Sequence, residues 1–123
     1  MRIGVPVETN EGLESRVSRH FGRARYLAIA DLTGGNFGEV RFVELPESHG
    51  PGELPSLAAR QGVDVVVVYG IGGRALAAFS ELGIDVITGV DGTLGDVLRG
   101  LAEGRLESDP GWEEVIKRER AHD

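Results

Sequence analysis

Two histidines, a run of arginines and a glycine-rich turn are the parts of this 123-residue sequence with the means to do chemistry. His20 lies inside Ser15-Arg16-Val17-Ser18-Arg19-His20-Phe21-Gly22-Arg23-Ala24-Arg25-Tyr26, which holds four arginines and no acid. In a chain of net charge −7 that stretch is a local attractor for anions around an imidazole. A solvated loop whose arginines pair with nearby carboxylates is the competing reading. His49 stands 29 residues further on, in Glu47-Ser48-His49-Gly50-Pro51-Gly52. Imidazole binds iron, zinc, nickel and copper, but a closed metal site normally takes four ligands, and two histidines supply half of that. The third feature, Gly70-Ile71-Gly72-Gly73-Arg74-Ala75, fits G-x-G-x-x-[GA]. Backbone N–H groups at such a turn accept anions, and glycine permits close approach. Asp91 stands roughly where a ribose-binding acid would belong, yet the motif follows the fourth expected strand, where a dinucleotide domain would have it after the first. Glycines serving only a tight turn are the simpler account.

Composition closes off other chemistry. Cysteine is absent, which excludes disulfides and thiolate sites. Thirteen basic against twenty acidic side chains argue against a grip on nucleic acid. The imbalance is uneven: residues 1–62 carry seven basic and eight acidic groups, and residues 63–123 carry six and twelve. No Ser-His-Asp order with an elbow, P-loop or HExxH is present, and residues 2–7 hold no carboxylate of the kind nuclease chemistry places in a first strand. No apolar run reaches the ~18 residues of a membrane helix, and the first residues lack an export signal, so a cytoplasmic protein without membrane contact is expected.

The elements that must position these residues follow from periodicity. Alternating Ile3, Val5 and Val7 predict a strand over 2–7 with Pro6 near its end, and 8–22 reads as a long loop. Strands are expected over 26–30 and 40–45, joined at Thr33-Gly34-Gly35-Asn36 as a hairpin. Leu54, Leu57, Ala58 and Gln61 space as a short helix stopped at Gly62. Val63–Val68 reads as a strand buried on both faces. A helix carrying Leu76, Phe79 and Leu82 follows, then a fifth strand over 84–88. Thr93 and Asp96 then cap a helix with a Leu94, Val97, Leu98, Leu101, Ala102 stripe. Ser108-Asp109-Pro110 opens a last helix whose apolar residues Trp112, Val115 and Ile116 either dock on the body or meet another chain. If the first two strands are antiparallel, loops 8–22, 46–52, 70–74 and 89–93 all gather at one sheet edge. In open α/β sheets that edge is where ligands bind.

Three stretches in this order resemble the dinitrogenase iron-molybdenum cofactor biosynthesis family: Ser18-Arg19-His20-Phe21-Gly22-Arg23-Ala24 running on to Asp31, Val63–Val68 into Gly70-Ile71-Gly72-Gly73-Arg74-Ala75, and Leu82–Val86 through Gly92-Thr93 to Gly104. The resemblance spans about 1–107 and leaves 108–123 as a separate tail. It implies a three-layer α/β/α, ribonuclease-H-like fold with a mixed five-stranded sheet. It also implies a non-enzymatic binding or carrier protein that holds an iron–sulfur or iron–molybdenum cluster precursor and passes it between metal-cluster assembly proteins. His20 and His49 would be the cluster contacts, Arg19 and Arg23 would steady its charge, and Gly70, Gly72 and Gly73 would shape the rim. Many relatives carry cysteine or several histidines where this chain has only His49. The alternatives are a nucleotide- or phosphate-binding module using Gly70–Arg74, and an interaction protein, homo-oligomeric or otherwise, working through the Trp112 helix.

Overall fold

The computed structural model describes residues 1–46, 50 and 52–104. The predicted last helix with Trp112, and His49 itself, lie outside the described residues. Six strands form one sheet: β1 (Arg2–Val7), β2 (Tyr26–Thr33), β3 (Asn36–Phe37), β4 (Arg41–Glu44), β5 (Val65–Val67) and β6 (Asp85–Ile87). Three helices accompany them: α1 (Glu53–Arg60), α2 (Gly73–Glu81) and α3 (Leu94–Ala102).

β1 pairs antiparallel with β2, from Arg2↔Asp31 to Val7↔Tyr26, and parallel with β5, which pairs parallel with β6. β4 pairs antiparallel with β2, so it runs the same way as β1, β5 and β6. The expected gathering of loops depends on that antiparallel first pair, and the pair is present. Pro6 is tolerated in a central strand because the β1–β5 ladder covers only Ile3↔Val65 and Gly4↔Val66. Beyond it the Pro6 carbonyl accepts the Ser18 N–H at 2.9 Å.

The strand expected over 40–45 is present as β4, and the sheet is six-stranded where five strands were predicted because a further short strand, β3, forms at Asn36–Phe37 directly after the turn. Gly34 and Gly35, at φ +57° and +83°, make the two-residue turn between Thr33 and Asn36. Register then slips by one residue between Leu32↔Phe37 and Ile29↔Arg41, so 38–40 is a bulge that separates β3 from β4.

Alternation along the strands separates two cores. Ile3, Val5, Val7, Ala28, Ala30, Val65 and Val67 pack with Leu94, Val97, Leu98 and Leu101 of α3. Leu27, Ile29, Val66, Val68 and Val86 pack with Leu54 and Ala58 of α1 and Phe79 of α2. The valine run is thus buried on both faces, as its continuous apolar character requires. Leu82 departs from expectation. It follows the last residue of α2, where the chain is already turning, and is 47% exposed. Among the described residues no helix is long and apolar enough to cross a membrane.

The start of α3 carries the predicted capping box. Thr93 Oγ1 accepts the Asp96 N–H, and Asp96 Oδ2 accepts the Thr93 N–H, both at 3.2 Å. Thr93→Ala should lower the unfolding free energy by about 1 kcal/mol in urea titration, with the m-value unchanged.

Candidate functional site

Loop 8–22 is sewn into the sheet, and that stitching aims His20. Glu8 N–H bonds to the Arg16 carbonyl, Val17 N–H to Gly92 and Leu94 N–H to Ser15, so 15–18 is clamped between the end of β1 and the start of α3. Ser15, fully buried, accepts the Glu11 N–H on Oγ at 2.8 Å, and Ser18, nearly as buried, donates its hydroxyl to the His20 carbonyl at 3.0 Å. A single 3-10 turn, Phe21–Arg23, follows, and Arg23 N–H bonds back to the His20 carbonyl at 2.8 Å. The Phe21 ring meets the buried Phe79 ring of α2 edge-on, with centroids 5.9 Å apart. That aromatic pair pins the His-Phe-Gly turn to α2, and His20, next to it, stays exposed.

The turn faces the start of α2 across an open cleft of about 610 Å³, lined by residues 19–23, Gly50 and residues 70–75. Three loops expected at one edge therefore meet: the one after β1, the one before α1, and the β5–α2 turn. Of the four arginines, Arg19 and Arg23 line the cleft. Arg16 instead bridges to Thr93, and Arg25 holds β2 to its neighbours through its backbone. Arg74 adds a cation from the opposite wall. His20 is the described imidazole here. Among the described residues it has no hydrogen-bond partner on the ring, and no group of three or more His, Cys, Asp or Glu side chains is placed to hold a metal ion. The chain at Gly50, one residue past His49, lies against the cleft.

Gly70, Gly72 and Gly73 line the same space, and the fold does not account for them. None has a positive φ, and a Cβ built on any of the three meets nothing within 4 Å. Their bare backbone is surface left open toward the cleft. The helix behind it also differs from α3. Gly72 offers no side-chain cap, and the first turn of α2 holds no acid.

Asp91 does not serve the glycine turn. Its Oδ1 accepts the Gly92 N–H at 2.9 Å and its Oδ2 accepts Arg19 Nη2 at 2.6 Å. These two bonds, the backbone one foremost, hold its carboxyl below the usual carboxylate range. The Arg19 guanidinium also lies over the Tyr69 ring, 5.2 Å from the centroid. Sequence reasoning missed Tyr69 and the Phe21–Phe79 pair. The one available signal was that Tyr69 is a large aromatic placed directly between a buried strand and the glycine turn.

The fold and the cleft together define a class: small mixed α/β proteins in which a His-Phe-Gly turn faces a glycine-rich strand-to-helix turn across a cation-lined cleft. Residues 1–104 match the dinitrogenase iron-molybdenum cofactor family, and the chain belongs to it. An uncharacterized protein of Methanocaldococcus jannaschii is 32% identical over 114 residues, covering 87% of this chain and 90% of its own. Among solved structures, PH0822 is 43% identical with a TM-score of 0.81, over 91% of this chain and 99% of its own. The apo form of the orange protein of Desulfovibrio gigas is 26% identical with a TM-score of 0.72, over 85% of this chain and 88% of its own.

Proposed function

We propose that this chain is a non-enzymatic carrier whose cargo is an anionic metal cluster of the iron–sulfur or iron–molybdenum type, seated in the cleft between the His20 turn and Gly70–Arg74. The observation that carries the reading is the open backbone of Gly70, Gly72 and Gly73, three glycines that neither φ nor packing requires, facing Arg19, Arg23 and His20. Close approach of a bulky ligand is a physical reason for glycine at such places. Family membership supports a link to iron-molybdenum cofactor assembly, and cluster-assembly proteins are then the partners from which cargo arrives and to which it leaves.

The donor set fits a cargo that brings its own sulfide. Thiolates, the usual cluster ligands, are absent, so this chain contributes imidazole and charge. His20 is the contact, His49 the second imidazole the family pattern implies, and the arginines offset the cluster's negative charge. We also assign the ribonuclease-H-like three-layer arrangement, supported by α3 on one core and α1 and α2 on the other.

Anaerobic incubation with a cluster donor, followed by iron and molybdenum analysis, tests the site. Wild type should retain metal through gel filtration, and His20→Ala should lose most of it; equal retention by both overturns the assignment. A phosphate- or nucleotide-binding module is favoured by one observation, the uncapped and acid-free start of α2. Calorimetric heat with nucleotides, together with no metal uptake, would select it.

A further inference from the structure

We infer that Arg19 is a shared cation, held by Asp91 between loads and passed to a multiply charged anion in the cleft, with Asp91 as the group that reclaims it on release. The inference rests on the carrier reading for the identity of the cargo, but the exchange itself follows from three loops. Arg19 comes from the loop after β1, Tyr69 from the segment between β5 and α2, and Asp91 from the segment between β6 and α3. The guanidinium therefore spans the sheet edge, with Nη2 at 2.6 Å from Asp91 Oδ2 and its centre over the Tyr69 ring, while the same residue lines the cleft beside His20.

The two partners are not equally free. Asp91 is tethered, because its second oxygen accepts the Gly92 N–H. The Arg19 side chain is 58% exposed on a long flexible stem. Of the pair, the arginine is the one that moves. An exposed ion pair costs little to open. A single carboxylate offers one charge, so an anion of two or more charges in the cleft outbids it by Coulomb attraction, whereas a monoanion only matches it. Tyr69, 41% exposed, gives the cation an aromatic surface to rest on while it is held by Asp91. The arrangement grips polyanions and still lets them go, which a fixed arginine would not do.

The test uses the full chain and inorganic pyrophosphate at low salt, read by calorimetry and by the Arg19 Nε–H resonance. Asp91→Asn keeps the oxygen that serves Gly92 and weakens the hold on Arg19. Affinity should rise about threefold, the size expected on removing an exposed pair. Glu8→Gln removes an equal charge that acts on Arg19 through space alone and should change affinity less. In an Arg19→Gln background the gain from Asp91→Asn should vanish. Unchanged or weaker binding by Asp91→Asn, a gain that survives Arg19→Gln, or pyrophosphate that leaves the Arg19 resonance unmoved each overturns the exchange. Failure of iron uptake with these results intact overturns the cargo and leaves the exchange standing.

Discussion

Phe79→Ala is expected to lower the unfolding free energy by about 3–5 kcal/mol, the largest stability loss among single substitutions near the cleft. Phe79 is fully buried, its ring is among the largest side chains in the α1–α2 core, and truncation leaves a void between two helices and the sheet. The loss has a second readout. The Phe21 ring rests edge-on against Phe79, and Phe21 is the residue that fixes the turn bearing His20. The variant should therefore broaden or shift the His20 ring resonances at temperatures where the protein is still folded. Phe79→Leu should recover most of the stability and little of the turn's rigidity, because it restores volume without the aromatic edge. Urea titration and proton NMR of the two variants check both statements. An unperturbed His20 signal in folded Phe79→Ala would show that backbone bonds alone hold the turn.

Side chains at Gly72 and Gly73 should have the opposite signature, with stability kept and binding lost. Gly73 is the first residue of α2, where alanine is a better helix former, so Gly73→Ala should gain about 0.5–1 kcal/mol of stability. Gly72 has φ −75° and ψ 160°, a conformation any residue adopts, so Gly72→Leu should fold normally. A bulky side chain at 72 protrudes into the space the cargo needs, and crowding of that kind costs 1–3 kcal/mol elsewhere in proteins. Cluster affinity should then fall by about tenfold or more. Thermal denaturation and metal retention on the same samples separate the two effects. Full retention by Gly72→Leu would mean that the cargo does not touch this wall.

Much of the architecture was legible because it rests on local pattern. The valine run 63–68 declared a strand covered on both faces, and Thr93 with Asp96 declared a helix start. The convergence of distant loops followed from one antiparallel pair and the parallel order of the remaining strands. What stayed hidden depends on partners far apart in sequence. The slip at 38–40 is a matter of register against β2, which a single strand's alternation does not reveal. The destination of Arg19 was equally unreadable, since Asp91 lies 72 residues away and its carboxylate reads just as well as a ribose acceptor. Leu82 fits the helical spacing of its neighbours and still lies outside the core, because α2 ends one residue before it.

The kink in the outermost ribbon bears on how the protein behaves in a crowded solution. Neither piece of that ribbon exceeds four residues, and Arg41 and Glu44 at the ends of the longer one are exposed. A straight, uncharged margin of main-chain donors and acceptors would invite another chain to zip alongside it. Here any such zipper runs out after a few rungs, which makes this flank a poor template for fibril growth.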